Sequence, residues 1–294
     1  MRSPISWVGG KYYMSKNIIS LFPKHHIYCE VFGGGGQILF AKEPSPVEVY
    51  NDIDEGLVNF FRVLRNPEKM EELKRRLELT PYSRREYYDC RDTWDKQLDD
   101  IERALQWFVV VRQSFGGKFN NGWGFNINIV RQGMSKNNCS WINTIENFPI
   151  FTKRLLRVQI ECNDFRKILN TYDTAETLFY CDSPYAPDTC SASMYAHNLL
   201  ASDHADLVSI LLNIKGMIIL SGYETDIYKP LLDAGWVIKK FDTTCRIAGR
   251  TSSSSLQGIG NVLEKQKRTE CVYVSPNAQK LRKEPLFDIS EALF

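Results

Sequence analysis

Seven short apolar runs, rich in β-branched and aromatic residues, punctuate this chain of 294 residues at 27–32, 47–51, 157–162, 178–181, 217–220, 236–241 and 271–274. Gly, Pro, Asp or Asn bound them, the residue types that end strands. Runs with so little polar alternation fit strands covered on both faces, as in a parallel sheet between helical layers. Helical patterns fall between many of them. Residues 13–21 precede the first run, and the stretch 32–40 turns straight from strand into helix. Ser202 stands where it caps a helix over 203–212, with Asp203 and Asp206 near the positive end of that helix. This alternation specifies an α/β fold with a mainly parallel sheet.

The region between the second and third runs has a different character. Residues 67–79 form a charged helix that Thr80-Pro81 breaks, and Ser83 with Glu86 is a capping-box signature for the next helix. A third helix over 99–115 carries Ile101, Leu105, Phe108 and Arg112 on one stripe. From 116 to 147 the chain is basic and rich in Gly, Asn and aromatics, which reads as polar loops. The expected organisation is a discontinuous α/β domain, 1–56 and 154–276, interrupted by a mostly helical insertion over 57–153 and followed by a tail over 277–294.

The formal net charge of +2 conceals a segregation. Between 109 and 157 seven basic residues stand against one acid, and between 245 and 268 five stand against one, so the rest of the chain is acidic. Two basic surfaces on an acidic body suit phosphate binding, although solvated basic loops have the same composition. No apolar run is long enough to span a membrane, and 1–7 lacks the apolar core of a signal peptide. The eight cysteines form no C-x-x-C pair and the four histidines show no ligand spacing, so neither a disulfide framework nor a metal site is expected. A cytoplasmic, reduced protein is the expectation.

Carboxylates mark the strand ends. Glu30 lies near the end of the first run, Asp52 closes the second, Asp164 follows the third and Asp182 closes the fourth. Ligands of open parallel sheets bind beyond the carboxyl ends of the strands. Alone, each acid reads as readily as a cap or turn residue; together they form a constellation. Phe32-Gly33-Gly34-Gly35-Gly36-Gln37 follows the first strand, and its glycines permit close backbone approach to a ligand. No Lys-Ser/Thr follows, so this is not a Walker loop. The pattern suits adenosine-bearing ligands as a class, dinucleotides among them. Asp182-Ser183-Pro184-Tyr185 is more discriminating: an aromatic held by proline just past a strand end offers a platform for a flat base, beside a carboxylate that can accept from an exocyclic amine.

Three blocks now resemble the Dam-type (D12 class) adenine-N6 DNA methyltransferases. Ser6-Trp7-Val8-Gly9-Gly10-Lys11 is similar to the family's W-x-G-G-K. Tyr28 to Gly36 is similar to its E-P-F-x-G-x-G loop, followed by Asn51-Asp52-Ile53-Asp54 for its D-I-N block. Tyr180 to Pro187 is similar to its D-P-P-Y-x-P. The resemblance runs from Ser6 to about Val274 and is weakest in the insertion. It implies a seven-stranded Rossmann-like sheet with the last strand inserted antiparallel, a target-recognition lobe at 57–153, and S-adenosylmethionine as cofactor. Trp7, Lys11, Glu30, Asp52 and Asp182 would then meet the cofactor, Phe32, Gly34 and Gly36 would shape its pocket, and Asp164 would lie at its adenine end. Tyr185 would stack on an adenine flipped out of double-stranded DNA. Asp182 and the backbone carbonyl of Ser183, followed by Pro184, would hold the amine for direct in-line transfer. Arg112, Lys118, Arg131 and Lys136 in one basic stretch, and Arg246 and Arg250 in the other, would contact DNA.

Two residues depart from the family pattern: Val31 and Ser183 each stand where it has proline. Ser183 keeps the carbonyl but constrains φ less. Other readings are a cytosine-N4 methyltransferase, a non-catalytic DNA-binding protein with the same fold, and an amine methyltransferase acting on RNA or protein.

Overall fold

The computed structural model describes residues 1–7, 9–117, 119, 122–185, 199–244 and 267–281. The strands are β1 (Ile27–Glu30), β2 (Val47–Asn51), β3 (Val158–Glu161), β4 (Thr177–Cys181), β5 (Met217–Gly222), β6 (Val237–Thr244) and β7 (Lys267–Val274). They form one sheet in the order β3-β2-β1-β4-β5-β7-β6. The first five are mutually parallel. β7 runs antiparallel to both its neighbours, β5 and β6. This is the Rossmann-like sheet that the resemblance implies, with the reversal of strand order between β1 and β4 opening a crevice at the carboxyl edge.

The pleat explains why the runs are apolar throughout. Tyr28, Tyr50, Leu178, Tyr180, Ile219, Val272 and Val274 face one core, while Cys29, Val49, Phe179, Cys181, Leu220 and Tyr273 face the other. The first core is closed by α1 (Ser15–Ser20), α2 (Gln37–Ala41), α3 (Glu55–Arg65), α4 (Pro67–Glu78), α5 (Arg84–Arg91), α6 (Asp100–Gln113), α7 (Lys136–Glu146) and α8 (Phe148–Leu155). The second is closed by α9 (Phe165–Thr171), α10 (Ala201–Asn213) and α11 (Lys229–Asp233). The inserted helices share the first core with the sheet without a break: Phe60 stacks on Phe108 at 5.0 Å, and Phe61 meets Tyr50 of β2 at 5.0 Å.

Side chains cap several helix starts; Ser83 does so as expected, although its own N donates to Gln113 Oε1 rather than to Glu86. Asn66 accepts from Lys69 N, Ser83 from Glu86 N and Asp99 from Glu102 N. Two expectations need correction. The helix expected over 203–212 begins at Ala201, so Ser202 lies inside it, and the Asp203 carboxylate reaches back to Leu200 N instead. The stretch 116–147 holds more than polar loops. Val130–Arg131 pairs antiparallel with Met134–Ser135 around Gln132 and Gly133, both at positive φ, and α7 follows with Ser135 as its cap. Asn-rich α7 is held by burial of Cys139, Trp141 and Ile145 rather than by propensity. Among the described residues no helix is long and apolar enough to cross a membrane.

Candidate active site at the carboxyl edge of the sheet

The loop from β1 to α2 is fixed by packing as much as by its glycines. A Cβ on Gly33 would lie 2.1 Å from the Tyr50 ring. Gly34 has φ +47°, and a Cβ there would meet the Trp7 indole at 2.8 Å. Tyr50 Oη donates to the Gly34 carbonyl at 2.5 Å. Gly34 N donates to Asp52 Oδ2 at 2.7 Å, while Asp54 N donates to Oδ1 of the same carboxylate at 2.9 Å. Asp52 thus ties the loop to the end of β2. Asn51 joins the neighbouring strand ends: its Nδ2 donates to the carbonyls of Val31 and Asn163, and its Oδ1 accepts from Asn163 N.

Asp182 leaves β4 on the face that carries Tyr28, Glu30 and Tyr180. Lys11, only 6% exposed, reaches it from the N-terminal segment with Nζ 2.7 Å from Oδ1. The same ammonium donates to Tyr185 Oη at 2.9 Å and to the Gly9 carbonyl at 3.1 Å. Tyr185 Oη donates onward to Glu270, whose oxygens lie at 2.9 and 3.2 Å. Its ring lies 4.4 Å from that of Tyr223 at 40°. Ser183 is 3% exposed, and its hydroxyl has no partner among the described residues. Pro184 and Ser183 both line the crevice with Asp182.

Burial dominates the electrostatics. It pushes the Glu30 carboxyl up to about 8, against the bonds it accepts from Tyr28 Oη and Leu39 N, both at 2.9 Å. Burial also raises Asp182, opposed by the charge of Lys11. Burial works against a charged Lys11, but Asp182 and Glu270 outweigh it and hold the ammonium well above its ordinary range.

One crevice receives most of the residues singled out from the sequence. Trp7, Lys11, Glu30, Phe32, Gly34, Asp52, Asp164, Asp182, Ser183 and Pro184 all line it. Gly36 lies behind the loop at φ +65° with the Phe40 and Tyr50 rings against it. Phe32 packs on Phe165 at 5.5 Å, making an aromatic end to the crevice. Asp164 stands on the wall there, but its carboxylate caps α9 at Arg166 N and pairs with the Arg166 guanidinium. Asp52, Asp54, Asp164 and Asp182 give the lining its charge, Glu30 being held protonated by burial, and Lys11, already paired, is the single basic side chain among the described residues there. Such a cradle suits a cationic ligand and opposes a pyrophosphate. Among the described residues no group of His, Cys, Asp and Glu could hold a metal ion.

A second groove, meeting the first at Gly117, brings together Arg2, Arg112, Arg131 and Lys136. Arg131 and Lys136 are exposed. Arg112 is engaged by Ser6 Oγ, the carbonyl and hydroxyl of Ser140, and Thr144 Oγ1, and burial lowers its pKa to about 10. Lys118, Arg246 and Arg250 lie outside the described residues. Sequence reasoning missed Tyr50, Asn51, Phe165, Tyr223 and Glu270. Asn51 had a signal, its place beside Asp52 at a strand end; Glu270 had none, since only an antiparallel β7 carries it to this edge.

The family model for D12 class N6 adenine-specific DNA methyltransferases matches residues 7–241. The DNA N-6-adenine-methyltransferase of Escherichia phage P1 is 26% identical over 217 residues, covering 71% of this chain and 28% of that protein. The DNA adenine methylase of Vibrio cholerae serotype O1 is 26% identical over 216 residues, covering 71% and 75%. That of Escherichia coli K12 is 23% identical over 201 residues, covering 67% and 69%. The match thus spans little more than a quarter of the phage relative and about three quarters of the Vibrio one.

Proposed function

Since this chain belongs to the D12 class N6 adenine-specific DNA methyltransferase family, we propose that it methylates the N6 amine of adenine in double-stranded DNA with S-adenosylmethionine as donor. The observation that carries this reading is the placement of Asp182, Ser183 and Pro184 at the end of β4, on the same crevice as the glycine loop and Asp52, with Tyr185 beside them and tied to Asp182 through Lys11. The donor, when bound, supplies an electrophilic sulfonium methyl group. Asp52 and the loop from Gly33 to Gly35 would hold its polar part, Trp7 would cover the loop, and Phe32, Ile53 and Phe165 would receive its adenine. The acidic lining supports a cationic donor over a dinucleotide.

The chain's own residues then act on the target. Flipping exposes the adenine at a cost of a few kcal/mol, and the Tyr185 ring stacks on it. The Asp182 carboxylate and the Ser183 carbonyl would accept hydrogen bonds from the two N6–H groups, turning the nitrogen lone pair towards the methyl group and stabilising the charge that develops on nitrogen until the amine gives up one proton, after transfer, to solvent. Lys11 keeps Asp182 and Tyr185 in register through its two bonds. In this scheme 1–56 with 154–276 form the catalytic unit, 57–153 reads the target, and Arg131 and Lys136 face DNA along the second groove, while Arg112, expected from the sequence as a DNA contact, ties α6 to Ser6 and α7.

Methylation of duplexes whose only modifiable base is adenine, or only cytosine, tests the assignment. Methyl incorporation into the adenine duplex alone is expected, and transfer to cytosine would establish the N4 reading instead. Asp182→Ala should lower turnover by at least about a hundredfold while leaving the thermal transition cooperative; full activity would remove Asp182 from the chemistry.

A further inference from the structure

Tyr185 is held at both ends of its side chain by elements far from it in sequence. Tyr223, immediately after β5, covers one face of its ring at 4.4 Å. Its hydroxyl is used twice. It accepts from Lys11 Nζ at 2.9 Å and donates to Glu270, with the nearer carboxylate oxygen also at 2.9 Å. A phenol has one proton to give, and this one is committed.

Glu270 reaches the site because of the reversed last strand. Cys271 pairs with Gly222, the last residue of β5. The residue before Cys271 therefore sits just beyond the carboxyl end of β5, level with the ends of β1, β2 and β4. Its parity places it on the face of Val272 and Val274, the same face that carries Tyr180 and Asp182. Glu270 lies outside the residues matched by the family model, 7–241.

We propose that Glu270 is a positioning residue for the base platform: its carboxylate, acting through the Tyr185 hydroxyl, fixes the ring on which the target base stacks. The proposal rests on the methyltransferase reading for its consequence, but not for its geometry. A charged acceptor makes this bond about twice as strong as a neutral one. With Asp182 it also places a second carboxylate against Lys11, so the ammonium is held between the amine-binding acid and the platform. A ring free to swing about χ1 would present the base in many poses, few of them aligned for transfer.

Glu270→Ala and Tyr185→Phe, alone and combined, test it. Each single variant should lose about tenfold in kcat on DNA, with S-adenosylmethionine affinity by calorimetry unchanged. The double variant should lose no more than Tyr185→Phe alone, because that substitution already removes the bond to Glu270 together with the one from Lys11. Multiplying losses, or an unaltered kcat in Glu270→Ala, would overturn the proposal. A second readout is independent of turnover. With 3-fluorotyrosine at position 185, Glu270→Ala should shift and broaden the fluorine resonance. An unchanged spectrum sinks the anchor whether or not DNA is methylated. A shifted spectrum in a chain that methylates no DNA supports the anchor and sinks the proposed function alone.

Discussion

Glu30 shows how one buried side chain can shape the behaviour of the whole chain. It is 2% exposed at the end of β1, and burial lifts its pKa from 4.5 to about 8. In the unfolded chain the group loses its proton near its ordinary value, while in the folded chain it keeps it. Between those two values the folded state binds more protons, so stability is full below pH 4.5 and declines as pH rises towards 8. The slope from this group approaches about 1.4 kcal/mol per pH unit. Glu30→Gln retains an amide oxygen for Tyr28 Oη and Leu39 N, and should flatten that decline; urea melts across this pH window will measure it. Equal pH dependence in parent and variant would mean that Glu30 is ionised in the fold. The sequence reveals Glu30 as a strand-end acid beside a glycine loop. It does not reveal the hydroxyl of Tyr28, two residues earlier on the same face, that accompanies it into the core. The reason is general: a carboxylate's neighbours are set by which strands adjoin, and that is not a local property. The same holds for Lys11, legible from Gly9-Gly10-Lys11 as a binding residue but engaged in the structure by Asp182 and Tyr185, more than 170 residues away.

At the scale of elements, β2 is bolted to the helices flanking it by a buried ion cluster. Glu48 accepts from both terminal nitrogens of Arg154 on α8, at 2.5 and 2.8 Å, and from Lys42 Nζ at 2.6 Å. Arg154 also donates to the Leu39 carbonyl of α2 at 3.0 Å. The carboxylate's pKa is lowered: its two cationic partners outweigh the opposing effect of burial. Glu48→Gln leaves Lys42 and Arg154 close together with no counter-charge, which should cost about 3–5 kcal/mol of unfolding free energy. Arg154→Met leaves Glu48 still paired with Lys42 and should cost less. Chemical denaturation of both variants checks the ordering, and a larger loss in Arg154→Met would contradict it. This cluster also explains a misreading of composition. Arg154 counts towards the basic stretch 109–157, yet it is buried and contributes nothing to a basic surface. The central strands are legible because burial on both faces leaves a period-free apolar signature, whereas the edge strands β3 and β6 are only partly covered. The hairpin at Val130–Arg131 and Met134–Ser135 is not, because its strands are exposed and its turn places Gln132, a residue without turn preference, at positive φ.

Over the whole molecule, the acidic crevice and the basic groove touch at Gly117 but differ in charge. On the proposed function that contrast would orient a polyanion: DNA would be drawn to the groove, while the crevice would admit an uncharged base and a cationic donor and repel phosphates. The groove's cations are not equivalent. Arg131 and Lys136 are exposed, whereas Arg112 spends its donors on Ser6, Ser140 and Thr144, joining the N-terminal segment and α6 to α7. If Arg131 and Lys136 each neutralise one phosphate, replacing either by alanine should reduce the slope of log affinity against log salt by about 0.9, and replacing both by about 1.8. Arg112→Ala should leave that slope nearly unchanged and instead lower the melting temperature, because it removes a tie between elements. Fluorescence anisotropy with a short duplex at graded salt separates the outcomes. A slope that falls with Arg112→Ala and not with Arg131→Ala would reverse these roles, making the half-buried, tied guanidinium the phosphate contact and the exposed one a bystander.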